Sequence, residues 1–119
     1  MGKNHRTLKM KELIPRAQLQ LVARRFQLLS EPVRLEILNL LHVRGEMTVQ
    51  ELVEATGQSQ ANLSKHLKVL REGGLVARRQ EGVFAYYRIN DPMLAALCVL
   101  VCSQVSDAAV TLQDATGLS

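Results

Sequence analysis

Residues 48 to 89 decide the fold of this chain, and they read TVQELVEATGQSQANLSKHLKVLREGGLVARRQEGVFAYYRI. Apolar residues recur at helical intervals in two short runs within this stretch. Thr48 and Ser59 carry hydroxyls suited to cap two helices, and Gly57 between them supplies the left-handed residue that ends the first. The stretch therefore predicts two short helices joined by a tight turn.

The pattern changes from helical to extended after Gly73 and Gly74. The runs VARRQ and VFAYYRI that follow are rich in β-branched and aromatic residues, and Glu81-Gly82 between them suits a tight hairpin turn. We therefore expect a β-hairpin, or wing, to follow the second helix with almost no linker. Residues 48 to 89 together predict a winged helix-turn-helix.

The flanking segments predict three further helices around this unit. One covers residues 15 to 29, and the next begins at Pro32 and stops at Gly45. The helix that begins at Pro32 is apolar over much of its girth, so we expect it at the centre of the core. The last helix covers residues 91 to 113. The expected fold is thus mainly α with a small β-hairpin, which lies between the fourth and fifth helices.

The chain divides into an arm and one domain. Residues 1 to 11 are polar and basic, and we expect them to form a flexible arm. Residues 12 to 119 are expected to form a single winged-helix domain.

The last predicted helix is unusual because it has no charged residue from Leu94 to Val105. A helix of a small domain normally keeps one solvated face, so this one needs a second apolar surface to cover it. Its length and the polar residues Ser103, Gln104 and Asp107 argue against a membrane span. We predict a homodimer built on the last helix packed with the first helix. Such a dimer suits a pseudo-palindromic DNA site, since its two reading helices would repeat at about one helical turn.

Positive charge is concentrated on the second helix of the helix-turn-helix and on the wing. Between Ser59 and Arg88 there are six Lys and Arg residues against two Glu, so this segment carries a net charge of +4, as does the whole chain. Such a cluster is typical of DNA phosphate contact, although a solvated basic face is the simpler alternative. Its position on a winged helix-turn-helix favours double-stranded DNA. The side chains predicted to contact the duplex are Ser59, Gln60, Asn62, Ser64, Lys65, His66, Lys68, Arg78, Arg79 and Arg88.

These residues divide by what they can recognise. The residues of the helix would enter or border the major groove, where Gln and Asn can read adenine and Lys can reach guanine. The three arginines of the wing would hold the flanking backbone or the minor groove. The domain over residues 12 to 119 would thus bind DNA through residues 48 to 89 and form a dimer through the helix over residues 91 to 113.

Composition excludes several other classes of protein. The 119 residues are 47% hydrophobic and 22% charged, which fits one globular domain. There is no uncharged apolar run of about 18 residues and no signal-peptide core, so we expect a cytoplasmic protein with no membrane contact. No nucleophile, base and acid constellation or glycine-rich phosphate loop is visible, so we expect neither an enzyme nor a required cofactor.

Three stretches together resemble one protein family. They are LLSEPVRLEILNLL at residues 28 to 41, SQANLSKHLKVLREGGLV at residues 59 to 76, and the wing ending VFAYYRI. In this order they resemble the ArsR/SmtB repressors, which are winged-helix dimers, over roughly residues 17 to 112. The resemblance implies a repressor that binds its operator in the apo or reduced form and releases it when a metal, metalloid or thiol-reactive signal binds. It also favours a phosphate or base contact for His66 over a place in the core.

Most sensing residues of that family do not carry over to this chain. Members that sense soft metals at the first helix of the reader have two cysteines where this chain has Thr48 and Gln50. Zinc-sensing members have histidines where Met93 and Gln104 stand, so that only the carboxylates of Asp91 and Asp107 correspond to their ligands. Zinc prefers nitrogen or sulfur ligands to carboxylates alone. Asn39 occupies the place of one cysteine of the persulfide-sensing members. We therefore do not expect sensing in these forms.

Cys98 and Cys102 are the only thiols in the chain. Residues four apart on a helix lie on one face with their β-carbons about 5 to 6 Å apart. Two thiolates at this spacing can bind a soft ion such as As(III), and a dimer would offer two such pairs. We therefore predict that a soft metal, metalloid or thiol-reactive effector acts at Cys98 and Cys102. The alternative is that both are small apolar residues of a dimer core.

Two other functions stay open from the sequence alone. One is a winged-helix regulator with no small-molecule sensor. The other is an interaction module in which the winged fold binds another protein instead of DNA.

Overall fold

The computed structural model of the protein describes residues 12–116, with side chains described as far as residue 106. The basic arm predicted over residues 1 to 11 lies outside the described residues. Within the described part, the chain forms five α-helices and three β-strands, after a 3-10 turn at Arg16–Gln18. The helices are α1 Leu19–Leu28, α2 Pro32–Arg44, α3 Val49–Thr56, α4 Gln60–Glu72 and α5 Leu94–Thr116, and the strands are β1 Glu46–Thr48, β2 Val76–Glu81 and β3 Phe84–Ile89.

Local hydrogen bonds set the boundaries of the helix-turn-helix, α3 and α4. Thr48 and Glu51 form a capping box: Thr48 Oγ1 accepts from the Glu51 amide at 3.1 Å, and Glu51 Oε1 accepts from the Thr48 amide at 2.9 Å. Gly57 ends α3 in the left-handed region, with φ of 75°. Ser59 Oγ accepts from the Asn62 amide at 3.1 Å and so caps α4. The predicted helix-turn-helix is confirmed, with the caps at the predicted residues.

The wing is an antiparallel sheet of three strands in the order β1-β3-β2. Strands β2 and β3 form the predicted hairpin, in which Arg78 lies opposite Tyr87. Strand β1 was not predicted, and it places Met47 opposite Tyr87 on the other side of β3. Its three residues are too few to show the two-residue period by which strands are recognised. This strand joins the wing directly to the start of α3.

Helix α2 occupies the centre of the core, as predicted from the apolar residues around most of its circumference. Its Ile37, Leu38 and Leu41 are buried. Apolar burial is the main favourable term in folding, and here it holds α4 and the wing against α2. The buried apolar residues come from α1 through the start of α5: Leu28, Ile37, Leu38, Leu41, Met47, Leu52, Leu63, Leu67, Leu70, Leu75, Val76 and Leu94.

The first and last helices differ from the prediction at their starts. The 3-10 turn occupies the predicted first turn of α1, and α-helical structure begins only at Leu19. At the other end, Asp91 Oδ1 accepts from the Met93 amide at 3.0 Å, and α5 begins at Leu94 instead of Asp91. Helix α5 continues to Thr116, beyond the predicted end at residue 113.

Candidate nucleic-acid interface

Helix α4 turns one apolar face to the core and one polar face to solvent. Its three leucines after residue 62 are buried, whereas Gln60, Ser64, Lys65 and Lys68 are exposed. Gln60, Ser64 and Lys68 are spaced by four residues, so they form one stripe along the helix. Side chains of these types bind base edges and phosphates. The structure thus brings four of the predicted contacts onto one exposed surface.

Arg71 continues this surface and was not among the predicted contacts. It is exposed and follows Lys68 by three residues, so the helical period that links the other side chains also reaches it. The period was therefore a sufficient signal to find it. We call the exposed side chains of Gln60, Ser64, Lys65, Lys68 and Arg71 the recognition face.

Ser59 and Asn62 lie at the start of α4 and take part in its local structure. Ser59 is exposed and its hydroxyl caps the helix. Asn62 is half-buried, and its Nδ2 donates to Gln58 Oε1 at 2.8 Å. Asn62 would have to exchange this bond to bind a base. Both residues stay predicted contacts, at the edge of the recognition face.

His66 does not lie on the recognition face. Its side chain is 6% exposed, and Nδ1 lies 3.2 Å from Nη1 of Arg34 in α2. It follows Leu63 by three residues and precedes Leu70 by four, which places it on the buried stripe of α4. The prediction that His66 contacts DNA is wrong, because its side chain points into the core.

The surroundings of His66 favour the neutral form of its ring. Burial lowers the pKa of His66, and the nearby charge of Arg34 lowers this pKa further. Lys65 also lowers the pKa of His66, whereas the carboxylate of Glu31 raises it. Since arginine has no acceptor atom, Nδ1 of His66 accepts the hydrogen bond from Arg34.

Arg34 is a buried cation that our sequence reasoning missed. Its side chain is 9% exposed, and it donates from Nε to the carbonyl of Leu28 at 2.7 Å and from Nη2 to that of Gln27 at 3.0 Å. Both carbonyls lie at the C-terminal end of α1, where the helix dipole favours a cation. Arg34 precedes Leu38 by four residues on the buried stripe of α2, so its position in the pattern could have indicated burial. One side chain therefore connects α1, α2 and α4.

Arg78 and Arg88 lie on opposite faces of the wing. Arg78 is on the same face as the buried Val76, two residues earlier, and its Nη2 donates to Gln80 Oε1 at 2.8 Å. Arg88 pairs with Ala77 across the hairpin and is therefore on the other face. Both arginines are exposed, and both stay predicted DNA contacts.

Arg79 lies on the same face of the wing as Arg88 and binds neighbouring side chains there. Its Nε lies 2.9 Å from Glu46 Oε2, its Nη1 lies 2.6 Å from Glu81 Oε1, and its guanidinium carbon lies 4.5 Å from the ring centroid of Tyr86. The hydrogen bonds to Glu46 and Glu81 raise the pKa of Arg79, and the hydrogen bond from Arg79 lowers the pKa of Glu46. A phosphate would have to compete with these two carboxylates for Arg79, which stays a predicted DNA contact.

Cys98 and Cys102 line two apolar cavities beside α5. One cavity, of about 770 Å³, lies between α2 and α5, and the other, of about 330 Å³, lies between α1 and α5. Cys98 is half-buried against the core, and Cys102 is exposed. Over residues 12–106, no group of three or more His, Cys, Asp or Glu side chains is placed to hold a metal ion. One protomer therefore offers two thiols on an apolar wall.

Helices α1 and α5 expose apolar side chains. On α1, Leu21 and Phe26 are exposed, and on α5, Leu100, Val101 and Val105 are exposed. No helix of the described part is long and apolar enough to cross a membrane. These five exposed apolar side chains lie on the two helices predicted to form a dimer.

The fold and the recognition face together define a winged helix-turn-helix DNA-binding protein. The family described as a helix-turn-helix domain matches residues 29–79. A "Probable mercury resistance operon repressor" from Streptomyces lividans is 38% identical over 94 residues, which are 79% of this chain and 74% of that protein. The arsenical resistance operon repressor of Escherichia coli is 42% identical over 65 residues, 55% of this chain and 56% of that protein.

A solved structure agrees with these relatives. It is the solution NMR structure of the homodimeric winged helix-turn-helix domain Mb0332 from Mycobacterium bovis, described as a possible ArsR-family transcriptional regulator. It matches with a TM-score of 0.66 at 40% identity, over 82% of this chain and 91% of that chain. This chain belongs to the ArsR/SmtB family of winged helix-turn-helix transcriptional regulators. It is a DNA-binding regulator and not an enzyme, in agreement with the sequence prediction.

Proposed function

We propose that this protein is a cytoplasmic, homodimeric repressor that leaves its operator when a soft metal, a metalloid or a thiol-reactive compound engages Cys98 and Cys102. The observation that supports DNA binding is the recognition face. Lys65, Lys68 and Arg71 would neutralise phosphates, and Gln60 would read a base in the major groove. Release of counterions from those phosphates would supply the sequence-independent part of the affinity.

The exposed apolar side chains of α1 and α5 support the homodimer. Phe26, on α1, and Val101, on α5, line the same apolar cavity and are about half exposed. A second copy would remove this surface from water, which is the usual driving force for association. The resulting two-fold symmetry would present two recognition faces to a pseudo-palindromic operator. In this dimer, residues 48 to 89 would bind DNA and α5 would form the dimer interface.

Two observations support a soft effector at the cysteines. Cys98 and Cys102 lie on the walls of the same cavities, and α5, which carries them, is the proposed dimer helix. Two relatives are named as repressors of mercury and arsenical resistance operons, and mercury and trivalent arsenic are soft ions that thiolates bind. Both thiols of each protomer would hold the ion, which would change how α5 packs on α2. No cofactor would be needed for DNA binding itself.

A regulator without a small-molecule sensor is the second candidate. It is favoured by the packing of Cys98 against the core, where a free cysteine acts as a small apolar residue. In that case abundance or a partner protein would control the DNA binding.

The test begins with an operator selected in vitro from a random duplex library by the full chain. Fluorescence anisotropy then follows the complex while As(III), Hg(II), Cd(II), Zn(II), peroxide and persulfide are added in turn. The variants are Cys98→Ser, Cys102→Ser and the double variant, with Ser103→Ala as a matched control on the same helix.

We expect a thiophilic effector to release the wild type and the control but not the double variant. Equal responses of the wild type and the double variant to every effector would reject the sensor. Failure to enrich any duplex would reject DNA binding, whichever effector is used.

A further inference from the structure

The recognition helix α4 is attached to the end of α1 by a buried polar contact. The guanidinium of Arg34 binds the last carbonyls of α1 through Nε and Nη2 and the ring of His66 through Nη1. Because arginine is a planar donor with fixed directions, these bonds constrain the angle between the two helices. Replacing either partner would leave the other one buried without its bond.

A second contact joins the same two helices at the end of α4. Gly73 follows the last residue of α4, and a Cβ built on it would lie 2.4 Å from Cδ1 of Leu28, the last residue of α1. Nη1 of Arg25 in α1 donates to the carbonyl of Gly73 at 2.9 Å. The recognition helix is therefore held to α1 at its middle and at its end.

We propose that Arg34 and His66 are positioning residues for DNA binding, and that their hydrogen bond fixes the recognition face relative to α1. The importance of α1 rests on the proposed function, because α1 is one of the two helices assigned to the dimer interface. The orientation of α4 on α1 would then set the relation between the two recognition faces of the dimer. Neither residue touches DNA, since both side chains are buried.

The contact requires an unprotonated Nδ1 on His66. A proton there would place two donors and two cations face to face at a separation of 3.2 Å. Three charged groups surround the ring: Arg34 in α2, Glu31 at the N-cap of α2, and Lys65 in α4. Helix α1 contributes only the carbonyls of Gln27 and Leu28, which bind Arg34. Glu31 alone favours protonation, and burial with the two cations opposes it. Acid should therefore weaken DNA binding through His66.

Three variants separate positioning from general stability. His66→Asn keeps an acceptor near the position of Nδ1 but does not titrate, His66→Leu removes the acceptor, and Arg34→Lys keeps the charge but cannot bind all three acceptors. Anisotropy with the selected duplex is measured from about pH 8 to about pH 5.5 at constant ionic strength, across the usual range of histidine titration. Thermal unfolding is recorded under each condition, so that affinities refer to folded protein.

We expect His66→Leu and Arg34→Lys to bind about tenfold more weakly at the higher pH, within the usual range of coupling energies. Their salt dependence should be unchanged, because the recognition face keeps its cations. His66→Asn should bind like the wild type at about pH 8 and lose the acid-induced weakening. The proposal is overturned if His66→Asn keeps the full pH dependence of the wild type, or if His66→Leu binds as tightly as the wild type.

A measurement without DNA separates failure of this contact from failure of the proposed repressor. The ¹⁵N resonances of the His66 ring in the intact protein report which nitrogen carries the proton. We expect an unprotonated Nδ1 and a protonated Nε2 at about pH 8. A protonated Nδ1 would overturn the contact, whether or not an operator has been found.

Discussion

Arg25 of α1 pairs with Asp91, which precedes α5, while the same guanidinium donates a hydrogen bond to the carbonyl of Gly73 at the end of α4. One side chain thus joins the two proposed dimer helices to the recognition helix. The pair is partly exposed, with 48% of the Arg25 side chain and 16% of the Asp91 side chain accessible. The pair should therefore contribute little to the free energy of unfolding and act mainly by orienting the helices that it joins.

Arg25→Ala should lower the free energy of unfolding by less than about 1 kcal/mol, because a partly exposed ion pair is screened by solvent. The loss should shrink at high salt. Urea unfolding at low and high salt measures it, with Arg24→Ala, the preceding exposed arginine, as the control. If the loss is several times larger and does not depend on salt, the pair is not a solvent-screened ion pair and the prediction is wrong.

Gly73→Ala should destabilise the fold by about 1 to 3 kcal/mol, as expected for overpacking. The added methyl group would meet Leu28, which is buried, while the φ of −80° at Gly73 suits alanine. Combining it with Leu28→Ala should recover most of this cost in a double-mutant cycle measured by urea unfolding. Additive losses would show that Leu28 is not the obstacle.

Local features of the sequence were sufficient to predict the helix-turn-helix. Thr48, Gly57 and Ser59 specify their helix ends through bonds to residues no more than four positions away, and such bonds can be read from the chain. Strand β1 was missed because it exists only through pairing with β3, which comes much later in the sequence. The same limit applies to the pairing of Arg79 with Glu46.

His66 shows how two signals from the sequence can conflict. Its place between Leu63 and Leu70 indicated the buried stripe, while its neighbour Lys65 and the family resemblance favoured the surface. In the structure His66 is buried, as the helical period indicated, because Arg34 supplies the hydrogen-bond partner that a buried imidazole needs. That partner lies 32 residues away and could not be identified from the pattern of α4 alone.

His66 should also make stability depend on pH. The folded protein binds a proton on His66 less tightly than the unfolded chain, whose histidine has the ordinary pKa of 6.5. The unfolded chain therefore takes up more protons as the pH falls below that value, and the free energy of unfolding decreases. Urea unfolding at about pH 7.5 and about pH 5.5 should show a larger acid-induced loss for the wild type than for His66→Asn. Equal losses would mean that His66 does not titrate differently on folding.

The salt dependence of DNA binding should distinguish Lys65 from Arg79. Lys65→Ala should reduce the slope of log affinity against log salt concentration by about one unit for each phosphate contact that is lost. Arg79→Ala should reduce it less, because Glu46 and Glu81 already balance that charge. Anisotropy titrations at several salt concentrations provide the slopes. An unchanged slope for Lys65→Ala would remove Lys65 from the phosphate contacts.

We infer above all that the recognition face reads a specific DNA sequence. It is tested most directly by comparing the affinity of the full chain for its selected duplex with that for a shuffled duplex of the same length, at one physiological salt concentration. We predict binding tighter by at least about 10³-fold for the selected duplex, with most of this preference lost in the double variant Gln60→Ala/Ser64→Ala, which keeps every cation of the recognition face. Equal affinity for the two duplexes, or a preference that the double variant keeps, would contradict it.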